Sequence, residues 1–195
     1  MNDISTDYKN GPIRIQTPLS ADVCASLRAG DMVLMSGDVY TARDAAHRRL
    51  NESLIKGFPL PIDLSIATIF YAAPSPAPPG KVIGSIGPTT SYRMDAFTPA
   101  LIEHGLRGMI GKGNRSPEVV EAIKYYGAVY FGAIGGIAAL TAQCVKKMEL
   151  IAYEDLGPEA IRKLTVVDLP LVVINDFQGN DLYVSEQNKW YIKSI

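Results

Sequence analysis

The sequence predicts an α/β fold with parallel strands. Short apolar runs rich in β-branched residues alternate with longer amphipathic stretches along the chain, which is the pattern of strand–helix units. The chain has 195 residues, 47% of them hydrophobic. Folding a chain of that size buries roughly 70% of its extended surface, enough for one sizeable core.

The elements follow in order. Ala21–Arg28 reads as a helix, Val33–Met35 as a strand, and Asp44–Ile55 as an amphipathic helix. Ile66–Tyr71 is a strand. Pro74–Gly80 is proline-rich and stiff, with few backbone donors, so it is a surface loop. Val82–Ile86 reads as a strand and Asp95–His104 as a helix. Arg107–Ile110 is a strand. Ser116-Pro117-Glu118 then starts the helix Pro117–Tyr126, with serine as N-cap, proline at the first helical position and glutamate in the first turn. Ala128–Phe131 is a strand, Ile137–Lys147 and Pro158–Leu164 are helices, and Leu171–Ile174 is a strand. Asp176–Asn180 lies between apolar runs and reads as the turn of a β-hairpin. Residues 1–11 are expected to be a flexible extension and 12–195 one domain.

Charge and cysteine content exclude several functions. Nineteen basic against twenty acidic side chains leave a net charge of −1, without the basic excess of nucleic-acid or polybasic membrane-surface proteins. Tyr125–Val145 carries no charge over 21 positions, but four glycines and three tyrosines break it, so a buried strand followed by a helix is expected there. The N-terminus shows no apolar signal region. Cys24 and Cys144 form neither a zinc motif nor a CxxC pair, and two thiols cannot hold an iron–sulfur cluster alone. A reducing, cytoplasmic setting is expected.

Three polar segments stand where a fold does not need them: Thr41–Arg49, Gly87–Asp95 and Gly111–Ser116. The last two follow a predicted strand and open a helix, where ligands bind in open α/β sheets. Helix N-termini favour anions, and arginine forks grip carboxylates. Together they describe an anion pocket with positive ends. Structural readings stand beside this one: a surface ion pair between Asp44 and Arg48, a structural His47, a simple turn and cap at Gly87–Thr90, a solvated Lys112, and a tight strand–helix junction at Gly135-Gly136. The residues alone support an α/β protein that binds a small anion.

The combination of motifs is more specific. GPTTSYRMD at 87–95 followed by GKGNRS at 111–116 resembles the β part of class I fumarate hydratases. RDAAHRRL at 43–50, GAIGGIAAL at 132–140 and DLGPEAI at 155–161 are similar to the same family, in the same order, over about residues 12–185. The β subunit of L-tartrate dehydratase is a relative. That branch tends to have Glu at the place of Asp95 and lacks the Asn114-Arg115 pair, which tilts the resemblance toward fumarase.

The resemblance implies a swivelling β/β/α-type domain and an iron–sulfur hydro-lyase of the tricarboxylic acid cycle that interconverts fumarate and malate. It implies a hetero-oligomer in which a separate α-type subunit carries the [4Fe-4S] cluster and α/β pairs dimerise; this chain alone would bind none. It places Arg43, Thr90, Arg93 and Lys112 on the substrate's carboxylates and hydroxyl, and makes Thr89 a candidate base. A dicarboxylate of charge −2 needs cations at both ends, and a threonine base needs cationic neighbours to stabilise its alkoxide. Tyr92 departs from the small residue common there. Alternatives are a tartrate or related hydroxy-dicarboxylate dehydratase β subunit and a non-catalytic anion-binding module.

Overall fold

The computed structural model describes residues 11–190 except 134, 135 and 137; residues 1–10 of the expected N-terminal extension lie outside the described residues. Seven strands form one mixed sheet: β1 (Ile13–Gln16), β2 (Met32–Thr41), β3 (Thr68–Phe70), β4 (Gly108–Gly111), β5 (Val129–Gly132), β6 (Val145–Ala152) and β7 (Ile161–Asn175). β1 through β5 run parallel in that order. β7 lies antiparallel to β5 and returns to pair with β2, so the sheet closes into a small barrel. β6 flanks it on β7.

Side-chain alternation splits the core in two. Phe70, Ile110, Val129, Phe131, Leu171 and Val173 belong to an inner cluster. Their neighbours Ile69, Met109, Tyr130 and Ile174 face an outer cluster. That outer layer is completed by α2 (Asp44–Lys56), α3 (Thr98–Glu103) and α4 (Pro117–Tyr126), through Leu50, Leu101, Val119 and Ile123. Strands buried on both faces explain the continuous apolar runs in the sequence.

The helix starts follow local chemistry. The Ser116 hydroxyl accepts the Val119 N–H at the head of α4, as its sequence requires. The predicted helix at Ala21–Arg28 is α1, Ala21–Ser26, capped by Ser20. The uncharged stretch from Tyr125 divides into the end of α4, β5 and α5 (Ala138–Cys144). Among the described residues, no helix is long and apolar enough to cross a membrane.

Several expectations are corrected. Val82–Ile86 forms no strand. β3, β4 and β5 each have both edges filled near it, so this segment instead tucks Ile83 and Ile86 into the inner core. Its backbone bonds to the proline-rich loop and to the start of the helix Ala138–Cys144, Ser75 N–H to Ser85 O and Ile86 N–H to Ala138 O. Pro158–Leu164 is not a helix. A short 3₁₀ segment, Glu154–Glu159, precedes β7, whose pairing with both β2 and β6 outweighs local helix propensity. The helix expected over Ile137–Lys147 ends at Cys144, and Val145 opens β6. The helix expected from Asp95 begins at Thr98, after a 3₁₀ turn at Ser91–Met94. Asp176–Asn180 does not join two strands. Asp181 accepts the N–H groups of Tyr183 and Val184, so the turn leads into α6 (Leu182–Trp190).

Candidate active site

Parallel strands align their C-terminal ends, and the three polar segments meet at those of β2, β3 and β4. Arg43 sits just past β2 as the N-cap residue of α2. The Gly87–Thr90 segment is drawn back to the end of β3, where Thr89 N–H donates to Tyr71 O at 2.7 Å and Pro88 bridges to Ala72. Lys112 follows β4 directly, and Thr90 bridges to it. Ser91 N–H donates to Lys112 O at 2.9 Å, and Lys112 N–H donates to Ser91 Oγ at 3.1 Å. This approach requires Gly111: a Cβ there would stand 2.0 Å from Ser91 Oγ and 2.8 Å from Tyr71 Cδ2.

The charges interlock around Asp44. Its Oδ1 lies 3.6 Å from Arg93 Nη1 and 3.9 Å from Arg43 Nε. Arg43 Nη2 also pairs with Glu159 Oε1 at 3.0 Å. Arg93 Nη2 donates to Thr89 Oγ1. Both arginines are partly buried, while Lys112 is exposed and has no acidic partner among the described residues. Asp44 thus turns to Arg43 and Arg93, and the surface pair with Arg48 does not form. Thr90 makes no side-chain cap bond. The structure therefore brings Arg43, Thr89 and Arg93 into one connected group and sets Thr90 and Lys112 side by side next to it.

Buried polar atoms without hydrogen-bond partners gather here. They include Arg43 Nε, Asp44 Oδ1, His47 Nε2 and Tyr71 OH. Each such atom costs about 1–3 kcal/mol if left unpaired. His47 is fully buried and edge-on to Tyr71, with ring centroids 5.1 Å apart. Its Nδ1–H donates to Arg43 O at 2.9 Å, and burial pushes its pKa down to about 4. It is a neutral support for the backbone of Arg43 and carries no charge at neutral pH.

Sequence reasoning missed the residues beneath the site. The Arg115 guanidinium is fully buried between the rings of Tyr71 (5.2 Å) and Tyr130 (4.8 Å) and pairs with Asp95 at 2.7 Å. Glu159, inside the DLGPEAI motif, was also passed over. The one available signal for the two tyrosines is a hydroxyl in an otherwise apolar run; that of Tyr130 is paired with Ser91 and Gly113.

The described residues hold no group of three or more His, Cys, Asp or Glu able to bind a metal ion. Cys24 and Cys144 are free thiols. Burial pushes Cys24 up to about 11, and Cys144 is also raised by burial. Two thiols are fewer than the four that normally hold an iron–sulfur cluster, so this pair does not fit one.

A barrel-closing mixed sheet with arginines, threonines and a lysine gathered at its parallel strand ends, where α/β folds place their sites, defines the architecture of this chain. Residues 2–186 match the family model described as "Fumarase C-terminus", and the chain belongs to that family. It is 40% identical over 156 residues to "Fumarate hydratase 2" of Leishmania major, covering 79% of this chain and 28% of that protein. To "Fumarate hydratase class I, anaerobic" of Escherichia coli it is 41% identical over 157 residues, 80% of this chain and 29% of that one. To "Putative L(+)-tartrate dehydratase subunit beta" of Methanocaldococcus jannaschii it is 38% identical over 173 residues, 86% of this chain and 89% of that one. The chain therefore spans under a third of these two fumarate hydratases and most of the tartrate dehydratase subunit.

Proposed function

We propose that this chain is the β subunit of an iron–sulfur hydro-lyase that interconverts fumarate and (S)-malate. The observation that carries the reading is the Arg43–Asp44–Arg93–Thr89 group at the strand ends, beside Lys112, in a chain of the fumarase C-terminus family. Two guanidinium forks and an ammonium suit a substrate with a carboxylate at each end. In the dehydration direction a base takes a proton from one carbon and hydroxide leaves the next. Thr89 Oγ is the candidate base, because the Arg93 cation bonded to it favours the alkoxide. Arg43, Thr90, Arg93 and Lys112 bind and orient the substrate. A partner α-type subunit would bring the [4Fe-4S] cluster as Lewis acid for the departing hydroxide.

The same reading takes residues 12–195 as one domain of the swivelling β/β/α type that closes over the substrate, in a cytoplasmic assembly where α/β pairs dimerise. A tartrate or related hydroxy-dicarboxylate is the second reading. It is favoured by the relative named as a separate tartrate dehydratase β subunit, which this chain covers almost end to end. The deciding experiment co-expresses the chain with a cluster-bearing partner and assays fumarate, malate and tartrate without oxygen. Turnover of fumarate and malate above tartrate supports the first reading, and the reverse supports the second. Binding of dicarboxylates with no turnover by any assembled pair would leave a non-catalytic anion-binding module.

A further inference from the structure

The geometry points to Asp95 and Arg115 as a positioning pair that sets the distance between the two loops carrying Arg93 and Lys112; its catalytic consequence rests on the hydro-lyase reading. Arg93 lies two residues before Asp95, and Lys112 lies three before Arg115. The Arg115 side chain is entirely buried. Its Nε donates to Asp95 Oδ1 at 2.7 Å and its Nη2 donates to Thr98 Oγ1 at 2.9 Å. The other oxygen of Asp95 accepts Ser116 N–H at 2.7 Å. One carboxylate thus holds the second loop at both a side chain and a backbone amide.

A second tie runs in parallel. Lys112 N–H donates to Ser91 Oγ. Tyr130 OH donates to Gly113 O at 3.0 Å, so its oxygen accepts the Ser91 hydroxyl proton at 2.8 Å. Arg93 therefore lies between two anchor points, Ser91 and Asp95, while Lys112 is itself an anchor followed by those at Gly113, Arg115 and Ser116, and the two loops are tied either directly or through Tyr130. A guanidinium stacked between two rings and bonded on two sides has few alternative geometries, which is the property a spacer needs. Lysine in its place keeps a charge for Asp95 but loses the fork and the stacking.

The pair is tested in two ways, each on Arg115→Lys and Asp95→Asn. First, amide hydrogen exchange is measured on the full chain. Both variants are expected to accelerate exchange by about tenfold or more in 87–95 and 111–116 together, with β7 unchanged. Folded variants with unaltered rates, or with a change confined to the mutated loop, would overturn the proposal. Second, in the assembled enzyme KM for the dicarboxylate, and the inhibition constant of a dicarboxylate analogue, should rise about 10- to 100-fold, because small misplacements at a two-ended site are costly. Inhibition by acetate, which needs only one end, should change by less than about twofold. A purely structural role would lower the active fraction and leave KM and that ratio unmoved. If the assembled wild type turns over no hydroxy-dicarboxylate, the hydro-lyase reading falls, and the exchange data still decide the loop-spacing role.

Discussion

Replacing Arg93 by alanine separates binding from folding. In the free chain its guanidinium donates to Thr89 Oγ1 and lies 3.6 Å from Asp44, with about a third of the side chain exposed (34%). A partly exposed pair of that length contributes under about 1 kcal/mol to stability, so the melting temperature should move by only a few degrees. A substrate carboxylate gripped by the same fork contributes more. Hydrogen bonds to charged groups are worth about 1.5–3 kcal/mol, which is a loss of about 10- to 150-fold in kcat/KM. The assay is kcat/KM of the assembled, anaerobic enzyme on fumarate and malate, beside a melt of the same sample. Arg93→Lys should also be poor, since lysine lacks the fork. A folded Arg93→Ala enzyme within about twofold of wild type would refute the carboxylate role.

Three further outcomes are expected. Thr89→Val keeps the shape and removes the hydroxyl: a base role lowers kcat with KM little changed, a binding role raises KM, and steady-state kinetics that do neither exclude both. His47 has its folded pKa depressed from 6.5 to about 4, so it contributes stability above pH 6.5 that is lost as pH falls toward 4, because the unfolded chain binds the proton more tightly. Between pH 7 and pH 5 that loss is about 2 kcal/mol in wild type; urea melts of His47→Gln should lack that share, and an identical pH slope in both proteins would contradict the buried neutral state. Gly111→Ala places a methyl against Ser91 and should cost about 1–3 kcal/mol by urea unfolding, together with raised KM; a neutral result would mean that the two loops are not held as close as they stand.

What the sequence made legible follows its physics. The parallel strands β3, β4 and β5 are buried on both faces, and their runs are largely apolar, so their starts are legible to within two residues. α2 and α4 carry a clear apolar stripe, and α4 has a serine cap. β1 and β6 escaped because each has a single strand neighbour and keeps only one buried residue. β1 buries only Ile15, and Val145 is the one fully buried residue of β6. The first part of β7 was misread because Pro158-Glu-Ala favours a helical start, whereas its partners lie about 120 residues upstream in β2, a pairing no local window contains. The site residues were legible because polar groups at strand ends contradict the core pattern. Arg115 was not, since an arginine in a polar loop looks solvated until Tyr71, just past β3, and Tyr130 of β5 flank it.

The ion pairs also explain how such a site persists without its ligand. Arg43, Arg93 and Lys112 converge near strand ends where helix α2 begins, and bare cations held there would repel one another. Asp44 and Glu159 supply the opposing charge. Yet Asp44 Oδ1 stands 3.6 and 3.9 Å from the two guanidiniums, too far for hydrogen bonds, and Arg43 Nε and Asp44 Oδ1 remain unpaired. The internal carboxylate therefore supplies charge balance without occupying the donors. Glu159 engages Arg43 Nη2 and Thr89 engages Arg93 Nη2, but Asp44 leaves the Arg43 Nε and Arg93 Nη1 groups it faces without a hydrogen bond, and the exposed Lys112 adds positive charge that Asp44 and Glu159 leave uncompensated. Three cations against two carboxylates leave this group one positive charge in excess, which is the balance that the proposed dicarboxylate-binding role requires.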